Sequence, residues 1–437
     1  MAQVIQLDLL PMAYYNTLGF DKELIDYIEF VDDSFVEELI LPLYKRGGRN
    51  PKRALTQFRA HYLYFVKDEI TSYRQLERVL KNPKNQDYRN FIGAVEIRDV
   101  PSHNCMSDFR TKVGVVRFYQ ILFAFLAQAL QIEDFLKPKL SAIDSRPLYA
   151  NVGGPKRKRC DCLDKDKCSC PKTFTDPDAT VGVQRNKTNM GKYFVGYRKH
   201  TIICQSPQGP VPLLSIVLPT STHDVNVLIP LLNKLKEVEN LQVEYLVADL
   251  GYYDKDTHLE ALTEHGVVVT TGVKSNAILP DNVNKDMQVL CPEGHPMIWD
   301  GFEKEELKSW FRGDEAHCQN CLFNSTCDKF FAFDYKENPL IFSPIPQGTQ
   351  LHQAMQKFRK QVELNFAQES NWIDKKMRHK KLPVRRLERV QTFAIMADMF
   401  RLIKLMLNHI RKTKIPKDRD AWFSKAQYQQ LMQPLIA

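Results

Sequence analysis

The sequence predicts a mixed α/β protein with a helical N-terminal region and a cysteine-rich insertion. Three observations predict it. Apolar residues follow helical spacing over 1–137 and again after Gln350. Between about 138 and 275, β-rich runs alternate with helix-spaced stretches. Residues 276–345 break that pattern with Cys, Pro, Asn and Gly. The expected divisions are therefore 1–137, 138–275, 276–345, 346–412 and a tail at 413–437.

In the first region Leu24, Ile25 and Ile28, then Phe35, Leu39 and Ile40, then Phe118, Ile121, Leu122 and Phe125 step by threes and fours. RGGRNP (46–51) reads as a loop from its Gly and Pro content. The run ILFAFLAQAL (121–130) is half of the roughly 20 residues that span a bilayer. With Gln128 inside it and Arg117 just before it, a buried helix is expected. The N-terminus MAQVIQLDLLPM has no basic n-region, so no signal peptide or membrane partner is expected and the chain reads as soluble and intracellular.

From residue 140 the texture is β. LSAIDSRPLYA (140–150), YFVGYRKHTIICQ (193–205) and VPLLSIVLP (211–219) read as strands, the last two joined by the turn SPQGP. A helix is expected over Asp224–Val238, a strand in VEYLVADLGYY (243–253), a helix near 255–265 and a strand in VVVTTGV (267–273). After the insertion, Leu351, Met355, Phe358, Val362, Phe366 and Ile373 mark one long helix, and Phe393 to Ile410 mark another over about 384–411.

Apolar content of 43% and charged content of 26% are globular values. Basic residues exceed acidic ones by 61 to 52, a net of +9. The distribution matters more than the sum. Lys45, Arg46, Arg49, Lys52, Arg53 and Arg59 occur without an acid among them, and Lys156, Arg157, Lys158 and Arg159 are contiguous. Lys375, Lys376, Arg378, Lys380, Lys381, Arg385, Arg386 and Arg389 face a single Glu388. Separate one-sign clusters point to a polyanion gripped at several places, which makes nucleic acid the expected partner. Neither G-x-x-x-x-G-K-[ST] nor G-x-S-x-G occurs, which leaves a P-loop ATPase or an α/β-hydrolase without support.

Two acids sit where a buried sheet tolerates them poorly. Asp144 falls mid-strand after Leu140 and Ile143, and Asp249 closes a strand ahead of Gly251. Such acids are paired, metal-bound or turn caps. Glu363 lies beside the apolar stripe of a later helix; Glu369 is the other acid on that helix, turned to a different face. Three acids from two strands and a helix are what divalent cations acting on phosphate require, and Mg²⁺ suits such a set. His200 and the neighbouring pair His223–Asp224 read as structural.

Eight of the ten cysteines form two groups, Cys160, Cys162, Cys168 and Cys170, and Cys291, Cys318, Cys321 and Cys327. Four thiolates make a closed structural Zn²⁺ site. The second set has the commoner chelating spacing, with His295 or His317 able to replace one thiolate. The first has the less usual C-x-C-x5-C-x-C pattern, for which redox or packing roles stay open. Cys105 and Cys204 are left over and expected to be buried.

AIDSRP around Asp144, VADLGYYD around Asp249, FRKQVELNF around Glu363, and DPDA (176–179) followed by YFVGYRKH (193–200) together resemble the DDE transposases of bacterial insertion sequences. The likeness covers roughly 95–410 and implies an RNase H-like core with catalytic Asp144, Asp249 and Glu363 holding two Mg²⁺ or Mn²⁺. It implies cleavage of the element's ends and transfer of the 3′-hydroxyl strand into target DNA. It also implies double-stranded DNA partners (terminal inverted repeats and target), a homodimer, and a bacterial cytoplasmic location on the nucleoid. Part of this group carries Tyr-x2-Arg-x3-Glu-x6-Lys. Here Arg359 and Glu363 fit, and Arg359 is expected at a phosphate, but Gln356 and Ser370 stand at the Tyr and Lys positions. That leaves Lys375 or Lys376 as substitutes. A metal-dependent nuclease without strand transfer, and a catalytically silent DNA-binding or zinc-scaffold descendant, are the alternatives.

Overall fold

In a computed structural model of the chain, the described residues are 21–44, 52–153, 157–158, 160–164, 167–170, 172–185, 191–273, 278–377 and 380–413. The N-terminal part is helical, with α1 (Lys22–Phe30), α2 (Phe35–Ile40), α3 (Ala54–Val66), α4 (Tyr73–Lys81), α5 (Gln86–Ile92) and α6 (His103–Leu130). Asp21, Ser72 and Ser102 start α1, α4 and α6, each with its side chain accepting a hydrogen bond from a backbone N–H of the first turn. Gly114, at φ 69°, breaks the helical backbone inside α6. By length and composition this helix could cross a membrane, yet Ile121 to Leu126 are buried in the protein core. Cys204 is also in that core, whereas Cys105 is exposed: it sits on the first turn of α6, where nothing packs over it.

The strands follow as β1 (Lys137–Tyr149), β2 (Arg157–Lys158), β3 (Lys172–Thr173), β4 (Thr180–Arg185), β5 (Gly191–Ser206) and β6 (Gly209–Pro219). Then come α7 (Val225–Leu235), β7 (Tyr245–Val247), α8 (Lys255–His265) and β8 (Val268–Thr270). β6, β5 and β1 are antiparallel neighbours, and β7 and β8 continue the sheet parallel to β1. β4 pairs with the N-terminal end of β5. A helix-covered mixed sheet with this strand order is RNase H-like.

The insertion holds a separate three-stranded sheet of β9 (Met297–Glu303), β10 (Lys308–Gly313) and β11 (Phe330–Asp334), with the single turn α9 (Glu315–Cys318) between the last two. The helix expected after Gln350 divides at Arg359 into α10 (Gln350–Phe358) and α11 (Lys360–Ile373), and α12 (Leu387–Thr413) closes the fold. The DPDA acids serve this last helix. Asp176 Oδ1 accepts from Arg386 N at 3.0 Å and Asp178 Oδ2 from Leu387 N at 2.9 Å, capping the positive end of α12.

The sheet has two apolar faces. Ile143, Leu246 and Cys204 join the large core with α3, α6 and α12, while Ala142, Ile203, Val247 and Val268 pack with Met355 and Val362 of α10 and α11. Each such aliphatic side chain contributes roughly 1.5–3 kcal/mol on burial. Fixing α11 on the second face is what brings its polar edge to the strand ends.

Candidate active site

Strand parity sets the carboxylates. Ala142 on β1 pairs in parallel with Val247 on β7, and both face α11. Side chains alternate along a strand, so Asp144, two residues beyond Ala142, lies on the α11 side. Asp249, two beyond Val247, stands past the end of β7, where the chain enters a short 3-10 turn, Leu250–Tyr252. Its Oδ1 accepts from Gly251 N at 2.8 Å, which fixes the carboxylate against the turn.

Burial, and next the charge of Asp249, push the Asp144 carboxyl up to about 6; Glu363 adds to the rise, while Ser145 N and Arg359 pull it down. Arg359 and Glu363 are one helical turn apart at the edge of α11. Arg359 Nη1 lies 3.3 Å from Asp144 Oδ2 and Nη2 lies 3.5 Å from Glu363 Oε1, so one guanidinium bridges the strand acid and the helix acid. Glu363 is exposed and Asp144 half-buried. Three acidic groups of this kind fit hard divalent cations, which take carboxylate oxygens and keep water.

Glu369 has a different employment. It is buried, with Lys199 Nζ at 2.8 Å, and the same ammonium lies 2.6 Å from Asp398 Oδ1. Burial raises the Glu369 carboxyl, but the charges of Lys199 and Arg146 outweigh it and hold the group below its usual range. The cluster ties β5, α11 and α12 together.

Asp224 is a group that the sequence did not single out for chemistry. His223 is exposed, and the Asp224 carboxylate does not cap α7. A Cβ on Gly251 would lie 2.8 Å from Asp224 Oδ2 and 3.0 Å from Asp249 Oδ1, so the two carboxylates flank one glycine. On its other side Asp224 Oδ1 is 3.9 Å from Nε2 of buried His200, whose Nδ1 is 2.7 Å from Tyr252 Oη. The only signal available was the spatial one: neighbours in sequence say nothing about a partner on another strand.

The first cysteine group is gathered. Sγ atoms of Cys160, Cys162, Cys168 and Cys170 all lie within 4.8 Å of one another, with Cys160–Cys168 at 3.5 Å and Cys162–Cys170 at 3.8 Å. Zn–S bonds of about 2.3 Å in a tetrahedron require S···S edges of about 3.8 Å, so this set fits structural zinc. Cys291, Cys318, Cys321 and Cys327 line one cavity of about 300 Å³ together with His295 and His317, whose rings stack 5.2 Å apart. Among the described residues this second set is not drawn within mutual bonding reach, although Cys291 precedes β9 and Cys318 follows β10 at the same end of that hairpin, where Met297 pairs with Gly313; in the first set the short alternate-residue pairs sit on the loop closed by the β2–β3 ribbon.

The basic residues scatter. Lys52 Nζ donates to Arg98 O at 2.6 Å, Arg53 pairs with Glu37 at 2.9 Å, and Lys375 pairs with Asp68. Lys376, expected at DNA, is buried instead, its ammonium donating to Lys67 O and Ile70 O at 2.6 Å each. Arg157 and Lys158 lie on β2. Arg46, Arg49, Lys156, Arg159 and Arg378 fall outside the described residues. A polar cavity of about 410 Å³ past the end of β1 is lined by Arg110, Asn151, Arg385, Glu388 and Arg389 among others.

The RNase H-like sheet thus carries one acid in the middle of β1 and another just past β7, both beside an acid of α11. A family model described as a transposase DDE domain matches residues 162–400, and a second, described as a transposase domain, matches residues 16–112. The chain belongs to the DDE transposases. No curated protein matches it. Among solved structures, a cryo-EM structure of a piggyBac transposase synaptic complex with hairpin DNA is similar at 10% identity, covering 95% of this chain and 82% of that one, with a TM-score of 0.39.

Proposed function

We propose that this transposase cuts the ends of its element and joins the freed 3′-hydroxyl to target DNA, with Asp144, Asp249 and Glu363 as its catalytic acids. The observation that carries this is the Arg359 bridge between Asp144 and Glu363, beside an Asp249 whose charge is felt at Asp144. Bound Mg²⁺ or Mn²⁺ would supply an activated oxygen nucleophile and neutralise charge developing on phosphate. Asp144 and Asp249, set by the sheet, would fix the cation positions, and Glu363 would close them from the helix. Arg359 would exchange its carboxylate partners for a phosphate oxygen near the scissile bond.

Zn²⁺ is assigned a structural role at Cys160, Cys162, Cys168 and Cys170, where little apolar material supports the fold. The cavity at Cys291, Cys318, Cys321 and Cys327 is the second proposed zinc site. Basic residues of the N-terminal helices, of 156–159 and of 380–389 would hold the duplex by its phosphates, and two ends would require at least a homodimer. The arginines of the polar cavity past β1 support this grip. We place this activity in a bacterial cytoplasm.

The test is incubation of the full-length protein with Mg²⁺ or Mn²⁺ and DNA spanning the ends that flank its gene. Specific cuts with joined products bear the proposal out. Cuts without joining give a nuclease, and binding without cuts under either metal gives a silent DNA-binding scaffold.

A further inference from the structure

We infer that Asp224 is a fourth carboxylate of the cation centre, holding the hydrated divalent ion together with Asp249 and oriented by His200. This rests on the metal-dependent reading of Asp144, Asp249 and Glu363. Three geometric facts carry it. Asp224 and Asp249 face each other across Gly251, at a spacing that leaves no room for a Cβ there. The charge of Arg198 also reaches Asp224, but that guanidinium is engaged in hydrogen bonds to Ser145 Oγ and Val183 O, and two carboxylates facing each other call for a further cation. Finally, the His200 side chain is fully buried and its Nε2 has no hydrogen-bond partner among the described residues, although it points at Asp224 Oδ1 from 3.9 Å.

Tyr252 explains why that nitrogen is aimed so. The hydroxyl 2.7 Å from His200 Nδ1 can donate to it, which leaves the imidazole proton on Nε2, facing Asp224. The distance is too long for a hydrogen bond and short enough for one after a small shift. A carboxylate drawn toward a cation on one side and steadied by an imidazole N–H on the other is the usual support of a ligating acid. Tyr252 belongs to the same short turn as Gly251, so one segment sets both the Asp249 carboxylate and the His200 ring. Asp224 itself comes from the start of α7, a fourth element beyond the two strands and the helix that carry the three acids already assigned.

The experiment is Mn²⁺ titration of the full-length protein without DNA, read by the electron paramagnetic resonance of the free ion. Wild type is compared with Asp224→Asn, Asp249→Asn, the double variant, and Glu239→Gln as an exposed acid elsewhere. Thermal melts check folding. Asp224→Asn should weaken Mn²⁺ binding about 10-fold, the order seen when support around a metal ligand is removed. Asp249→Asn should weaken it more, and the double variant should lose less than the product of the two, because both acids hold one ion. Glu239→Gln should change nothing. Should Asp224→Asn fail to fold, Gly251→Ala keeps every acid and should weaken binding by crowding Asp224 and Asp249. Unchanged affinity in Asp224→Asn beside a loss in Asp249→Asn overturns the inference alone. Unchanged affinity in both overturns it together with the metal site.

Discussion

Arg359 reaches from α11 to the Asp144 carboxylate on the central strand, a 3.3 Å ion pair between residues 215 apart in sequence. A fixed cation at this point lowers the field that the carboxylates present to a divalent ion while waiting to meet a phosphate. Arg359→Ala should therefore separate two properties. Mn²⁺ affinity without DNA should rise several-fold, and the rate of end cleavage should fall by at least about 10²-fold, as when a stabiliser of developing charge is lost. Arg359→Lys should restore little, because a point charge cannot bridge two oxygens in a fork. A fall in both properties would contradict this.

The three acids should behave alike and unlike their neighbour. Asp144→Asn, Asp249→Asn and Glu363→Gln should each abolish cutting and joining to at least about 10²-fold below wild type while DNA binding persists. Gel shifts and product analysis on the same samples distinguish loss of chemistry from loss of binding.

Glu369 is a matter of stability. Lys199→Met leaves Glu369 and Asp398 buried without their shared ammonium and should cost about 3–5 kcal/mol, read from the urea midpoint. Glu369→Gln should lower that midpoint while leaving Mn²⁺ affinity at the wild-type value.

Two buried imidazoles predict acid lability. Burial, helped by the charge of Arg110, holds His61 at about 3, and burial holds His258 at about 4, against an ordinary 6.5. Both are depressed, so their contribution is whole above pH 6.5 and is lost as pH falls toward 3–4, at about 1.4 kcal/mol per pH unit for each. The urea midpoint should be flat between about pH 6.5 and 8, below the range in which buried Lys376, held at about 8 by burial, also titrates, and should decline below 6.5. A midpoint unchanged down to pH 5 would refute the assignment.

Zinc should be countable. Purified protein should carry a metal that Cys162→Ser/Cys170→Ser removes, measured by mass spectrometry of bound zinc. The loss should be accompanied by faster proteolysis within 157–173, where the metal replaces a core.

The sheet was legible because its strands are long and strongly apolar. YFVGYRKHTIICQ and VPLLSIVLP, separated by SPQGP, become β5 and β6, and the helix read near 255–265 is α8. β2, β3 and β4 left no trace, being too short or too polar for a period to show. The split at Arg359 was hidden since both helices keep apolar residues on one stripe. At the site, apolar neighbours made Asp144, Asp249 and Glu363 candidates only, and it was the resemblance of their flanking motifs to DDE transposases that singled them out. Asp224 could not, because its partners His200 and Gly251 come from other segments. Lys376 was misjudged for a related reason: a lysine within a basic run gives no sign that backbone carbonyls of a distant loop will enclose it.

The pairing of Ala142 with Val247 has a consequence for errors of assembly. If β7 slid by one residue along β1, Leu246 would exchange faces with Val247 and the large core would lose its side chain at the same stroke that displaced Asp249. A misaligned molecule would thus forfeit packing as well as chemistry, and would be expected to unfold or be degraded. Under the proposed DNA-cutting function, this coupling would be a safeguard: copies that persist long enough to meet DNA would be those whose acidic site is correctly built.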